Sequence, residues 1–307
     1  MTPYVELHCH SNFSFLDGGS HPYELAVRAA ELDMPALAIT DHGGVYGAVR
    51  HLQACRKLGV KPIIGTALEV DGEELILIAR NLRGYSNLCR LLSIAHADQP
   101  KGEARTTLAM VAEHRGDLFY LSATDSEARL RDLIEGLGKD SVFSEMHHHL
   151  RPEDDWVLEG RAATARRCGV GMVATNQVHY HVRDRRRLHD VLVAIRHRAT
   201  LDEAAPLLFS NSEHHLKSGS ELHPLFRGHE EALLTPWEIA QAWAKLARKG
   251  CDLLVVNPVG NGLGFGAPDN EAVVYGADGT VTPIPRGPKE ALADVVWDLV
   301  AARLTNR

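Results

Sequence analysis

The chain has 307 residues, 45% hydrophobic and 24% charged, with a formal net charge of −7. That length can bury one large or two modest cores, and the mild negative charge excludes a global basic field that would draw the whole chain onto nucleic acid. No apolar run is long enough to span a membrane, the start lacks the regions of a signal peptide, and the scattered cysteines (Cys9, Cys55, Cys89, Cys168 and Cys251) form no CxxC zinc pair or disulfide framework, so a reducing cytoplasm is expected.

In chain order, Tyr4 to Leu7 reads as a strand, and Tyr23 to Leu32 has apolar residues at helical spacing. A strand follows at Ala36 to Thr40, then a helix at Tyr46 to Leu58 closed by Gly59. Strands are expected at Lys61 to Val70, Leu75 to Ala79, Leu118 to Leu121, Val142 to Met146 and Gly171 to Thr175. Helices are expected at Ser86 to His96, Glu127 to Leu137, Asp155 to Cys168 and Arg186 to Arg196. This alternation predicts an α/β architecture with a mostly parallel sheet, closed or nearly closed as a barrel, with its chemistry at the C-terminal strand ends. Residues 206–235 read as polar loops. A helix from Pro236 to Lys249, a strand at Leu253 to Val256, a glycine-rich loop, a hairpin around Ala277 to Gly279 and a helix from Lys289 to Leu304 complete the chain.

Every histidine lies between His8 and His229, whereas glycines cluster at Gly260, Gly262, Gly264 and Gly266, which divides the chain chemically. His8 and His10 end the first strand, and an i, i+2 pair on a strand points to one face, where two imidazoles can share a divalent ion. Asp17 follows, beside Gly18 and Gly19, which let the backbone turn back; the next strand ends in Thr40-Asp41-His42. Later strand ends add Glu145, His149 and His179. Singly, a His-x-His or Asp-His is more often incidental than a site. Jointly, at successive strand ends, these residues predict a multi-metal centre.

The run from Tyr4 to Gly19 (YVELHCHSNFSFLDGG) resembles the opening motif of the PHP (polymerase and histidinol phosphatase) superfamily. Pro35 to Gly47 (PALAITDHGGVYG) is similar to its second motif, and KPIIG at Lys61, GYSNLCRLL at Gly84 and VATNQVHY at Val173 extend the likeness to bacterial family C polymerases. Arg186 to Ala204 and Asn211 to Ser218 resemble the error-prone branch of that family. The resemblance implies a distorted, seven-stranded β/α barrel over residues 1–235 holding one to three zinc or manganese ions. It implies DNA and a polymerase core as partners, a role in DNA replication and repair, and at most a phosphoesterase activity using a metal-activated water. By the same resemblance His8, His10, Asp17, His42, Glu145, His149 and His179 are metal ligands. Asp41, Glu69, Glu74 and Gln177 are weaker ligands or support the ligands. Three positions depart from the family: Ala67 replaces a glutamate, Glu74 a histidine and Gln177 an aspartate. Glu69 points the same way as position 67 but stands about 6–7 Å further along the strand. A partly degenerate site with fewer than three ions is the expectation; a free-standing phosphatase of the histidinol phosphatase kind is the alternative.

From Lys245 the sequence changes subject. KLARKGCDLLVVNPVG at Lys245, FGAPDNEAVV at Phe265 and GPKEALAD at Gly287 resemble the end of phosphopantothenoylcysteine synthetase, which implies a small Rossmann-like α/β fragment over residues 236–307. Asn257, Phe265, Asp269, Asn270 and Lys289 fall on that family's CTP-binding positions, although Asn257 is followed by Pro258 where the family has aspartate. A junction between two unrelated modules is expected near residues 236–245, and neither the polymerase palm nor most of the synthetase follows from this sequence.

Overall fold

The computed structural model describes residues 4–100, 103–249, 253–256, 269–276 and 280–305. The chain divides into two compact units, Met1–Glu238 and Ile239–Arg307.

The first unit is built on six strands in sequential order: β1 (Ala36–Ile39), β2 (Lys61–Val70), β3 (Glu73–Ala79), β4 (Leu118–Ser122), β5 (Val142–Met146) and β6 (Gly171–Ala174). β1 and β4 are buried at every position, so they appear in the sequence as continuous apolar runs rather than as alternating ones. Six strands, not seven, form the sheet among the described residues. The opening segment makes only isolated bridges, Glu6 to Leu37 beside β1 and Cys9 to Val178 just beyond β6. Those bridges join the two edges of the sheet, so the segment closes the curl without the continuous ladder of a strand.

The sheet is also less parallel than expected. β3 runs antiparallel to both β2 and β4, while β1–β2, β4–β5 and β5–β6 are parallel. The cause is local: Asp71 and Gly72, at φ 53° and 87°, make a two-residue turn that sends the chain straight back. Helices cover the sheet in two apolar layers. One packs Leu25, Ala29, Ala54, Cys55, Leu158 and Ala162 against Leu37, Met146 and Ala174; the other packs Leu88, Leu91, Val111, Leu130 and Leu133 against Leu68, Leu75, Leu77 and Tyr120. Each such leucine, fully withdrawn from water, contributes about 1.5–3 kcal/mol. Gly59 and Gly169, both left-handed, end the helices Ala48–Leu58 and Asp154–Cys168. Within the stretch read as loop, Ser218 caps a short helix at Gly219–Leu222.

The helix expected to open at Pro236 begins instead at Glu231, with the proline inside it. Proline removes one helical donor, and the Thr235 hydroxyl caps a nearby carbonyl by donating to Glu231 O at 3.1 Å.

Among its described residues the second unit has three strands, β7 (Leu253–Val256), β8 (Asp269–Gly276) and β9 (Val281–Pro288), antiparallel throughout in the order β7-β8-β9, followed by the helix Lys289–Thr305. It is a small α/β unit, but its strand pairing is that of a meander rather than of a parallel Rossmann crossover. Asn257, Phe265 and the expected turn at Ala277 to Gly279 lie outside the described residues. Asp269 and Asn270 open β8 opposite Pro288 and Gly287, which brings them next to the helix start at Lys289.

Candidate metal centre

The end of the barrel is organised from Glu6 outward. Its buried carboxylate accepts the His8 amide at 2.9 Å, the Tyr4 hydroxyl at 2.8 Å and the Asn176 amide at 3.0 Å. The opening segment is thereby tied to the loop after β6. Burial pushes the Glu6 carboxyl up to about 7.

His8 and His10 point to the same side, with their Nε2 atoms 2.9 Å apart. His8 Nδ1 meets Glu145 Oε1 at 2.8 Å, and the Thr175 hydroxyl donates to that oxygen at 2.6 Å. Burial works against a proton on His8, but the charge and hydrogen bond of Glu145, joined by the charges of Glu74 and Glu6, together outweigh it and raise the group to about 9. For Glu145 itself burial works against ionisation, yet His8 and His147 hold its carboxyl well below the usual range.

Asp17 arrives on a loop that folds back under Asp41. Asp41 accepts the Ser11 amide at 2.7 Å, the Ser11 hydroxyl at 2.9 Å and the Ser14 hydroxyl at 2.8 Å, so it shapes the loop rather than facing the cluster. Gly18 is required there, because a Cβ would stand 1.8 Å from the Ser11 carbonyl oxygen. Leu16 and Gln177, flanking Asp17 and His179, both take left-handed backbone at φ 58° and 43°.

One oxygen of Asp17, Oδ2, lies 2.9 Å from His179 Nδ1 and 3.2 Å from His42 Nε2. The other, Oδ1, accepts from Arg196 Nη1 at 3.0 Å and lies 3.8 Å from His189 Nε2. Burial opposes the charge on Asp17, but these neighbours, His179 first, keep its carboxyl far below the usual range. Glu74 reaches in from β3, its two oxygens 3.8 Å from His8 Nε2 and 3.7 Å from His42 Nδ1. The His10 and His42 rings stack at 4.1 Å, and His10 lies 4.8 Å from the His179 ring.

Three overlapping groups therefore bring ligand atoms within 4.8 Å of one another: His8, His10 and Glu74; His10, Asp17 and His42; Asp17, His179 and His189. Imidazole and carboxylate donors in this mixture suit a divalent transition metal. The geometry fits as well. Both His179 ring nitrogens are buried without a hydrogen-bond partner, although Nδ1 stands 2.9 Å from Asp17 Oδ2. A divalent ion beside them would satisfy both atoms.

Of the residues expected as ligands, His8, His10, Asp17, His42 and His179 fall in these groups, and Glu145 stands behind His8 at its Nδ1. His149 does not join the three groups: its Nε2 donates to the Asn176 carbonyl at 3.0 Å and its ring stacks on His214 at 3.8 Å. Glu69 is exposed and also outside them, while Glu74, its register partner on β3, is inside. Ala67, a bridge partner of His42, supplies no donor. Gln177 offers its main-chain carbonyl to His214 Nδ1 at 3.1 Å. The sequence reading missed His189, His147 and Arg196. His189 had one legible signal, its place with Val193 on the inward face of the helix Arg186–Arg196. In the tail, Asn270 is buried and its Oδ1 has no hydrogen-bond partner.

Residues 6–153 match the PHP domain family, and residues 232–304 match the DNA/pantothenate metabolism flavoprotein C-terminal domain. An error-prone DNA polymerase of Mycolicibacterium paratuberculosis is 38% identical over 270 residues, covering 79% of this chain and 25% of that protein. One from Anaeromyxobacter is 39% identical over 255 residues, covering 77% and 22%. The chain thus spans about a quarter of the length of the curated relatives it matches. A solved structure, a proposed metal-dependent phosphoesterase from Bifidobacterium adolescentis, is 17% identical with a TM-score of 0.43, covering 58% of this chain and 88% of that one.

Proposed function

From the premise that the first unit contains a PHP domain homologous to the N-terminal region of error-prone DNA polymerases, we propose that it is a divalent-cation module that locks the strand ends of the barrel together. Zinc or manganese is the proposed ion. His8, His10, Asp17, His42, Glu74, Glu145 and His179 are the proposed ligands, with Asp41 and Glu6 holding their loops in place. In the longer proteins the proposed partners are DNA and a polymerase core. We further propose that residues 236–307 form a module related to the second family, with the join near 236–245. Among the described residues no helix is long and apolar enough to cross a membrane.

The observation that carries this reading is the convergence of buried histidines and carboxylates from non-contiguous segments, with His179 nitrogens that have no hydrogen-bond partner. The ligand set also limits the count. His10 belongs to two of the three groups, and its Nδ1 is turned toward the Ser14 hydroxyl at 3.3 Å, so one nitrogen serves one ion. With no donor at Ala67, fewer than three ions are expected.

Phosphoester hydrolysis is the second reading, favoured by Asp17, a carboxylate common to two groups. A divalent cation supplies a Lewis acid for a phosphoryl oxygen and lowers the pKa of a water. In this chain the stacked His10 and His42 rings would keep bulk water from one side, and Arg196 would turn its cationic side chain from Asp17 to a phosphate oxygen. Metal content by elemental analysis after zinc or manganese loading, run beside a phosphodiesterase assay, tests both readings. One or two ions without turnover supports the structural reading. One or two ions with turnover supports the catalytic one, and no ion contradicts both.

A further inference from the structure

His189 is not among the residues that the family resemblance marks as ligands. It lies on the helix Arg186–Arg196 and is 1% exposed. Neither of its ring nitrogens has a hydrogen-bond partner. An imidazole buried in this way leaves its ring nitrogens unsatisfied, which costs stability. An apolar residue would fill the same space without that cost.

The ring is firmly held. It stacks on Phe209 at 4.7 Å with an interplanar angle of 9°, and it meets Tyr180 and His179 edge-on at 5.8 Å and 5.3 Å. This packing aims Nε2 at Asp17 Oδ1, 3.8 Å away. That is too long for a hydrogen bond. It is close to the separation of two ligands on one tetrahedral ion, about 3.3 Å for metal bonds near 2.0–2.1 Å. The other nitrogen, Nδ1, lies 3.9 Å from Asp190 Oδ1, again beyond hydrogen-bond reach.

We infer that His189 is a cation ligand and that, with Asp17 and His179, it forms a position separate from the one built on His8, His10 and Glu74. This rests on the reading that the cluster binds divalent cations, and it adds a ligand from a helix that follows the barrel strands. The position ties that helix to the barrel. Arg196, on the same helix, donates to Asp17 Oδ1 at 3.0 Å, so its positive charge competes with an ion for that oxygen. The ion at this position is therefore the weaker-bound of the two.

The test is zinc binding to chelator-stripped protein, measured by equilibrium dialysis together with melting temperatures. His189→Phe keeps a flat ring on Phe209 and removes both nitrogens; His189→Gln is the second variant should the first not fold. The expected result is one zinc fewer than wild type, with a melting temperature in chelator equal to or above that of wild type, while His8→Ala/His10→Ala loses the other zinc. A His189 variant that binds as much zinc as wild type, and as tightly, overturns the inference while leaving the broader reading intact. Wild-type protein that binds no zinc or manganese overturns both.

Discussion

Glu74 Oε2 lies 3.7 Å from His42 Nδ1, so the carboxylate at the second position of β3 faces the histidine just beyond β1. Its other oxygen is 3.8 Å from His8 Nε2. Glu74 stands where the family resemblance implies a histidine, and it brings a charge to a site that lacks the carboxylates expected at positions 67 and 177. Replacing Glu74 with Gln should lower zinc affinity about tenfold or more, since a neutral amide neither balances the cation nor ligates it as well. Calorimetric titration checks this. Unchanged affinity would place Glu74 outside the ligand set.

The barrel was legible in the sequence because its strands are buried and appear as short apolar runs between helical patterns. Strand direction was harder to read. The Asp71-Gly72 turn carries a hairpin signal, but neighbouring apolar runs fit parallel and antiparallel pairing equally well until the turn is recognised. The candidate ligands His8, His10, His42 and Glu145 were legible as a group because they lie in or just beyond extended segments at one end of the barrel. His149 was not, because it follows the strand in a loop, where Leu150 takes φ 57°. His189 was legible only as an inward-facing residue, because only the tertiary fold brings its helix to Asp17.

A buried ion pair supports the wall of the site. Lys217, 2% exposed, donates to Asn176 Oδ1 at 3.1 Å and pairs with Glu213 at 3.1 Å. Asn176 in turn donates to the carbonyls of Glu213 and His215. Lys217→Met should destabilise the protein by about 3 kcal/mol, the low end for breaking a buried pair, because Arg183 still reaches Glu213 at 3.2 Å. Denaturant unfolding measures it, and the loss should be the same with and without chelator. A loss confined to metal-loaded protein would contradict a purely structural role for this pair.

His51 gives a pH dependence that is independent of the metal cluster. It is fully buried, its Nε2 donates to the Leu37 carbonyl at 3.0 Å, and burial lowers its pKa to about 4. Between the folded value and the ordinary one, the unfolded chain binds the proton and the folded chain does not. Stability from this group is therefore present above about pH 6.5 and is lost as pH falls toward 4. On going from pH 7 to pH 5, wild type should lose about 2 kcal/mol more than His51→Gln. Equal losses in the two proteins would show that His51 titrates normally in the fold.

The measurement that bears most directly on the metal centre compares melting temperatures of wild type and His8→Ala/His10→Ala, each with zinc and with chelator. A cation that binds only the native state raises its melting temperature by mass action. If these histidines are ligands, the variant melts well below wild type in zinc, and the gap narrows in chelator, where neither protein holds the ion. The same gap in both conditions, with equal metal content, would mean that His8 and His10 only pack the core, and would contradict a metal centre at this end of the barrel.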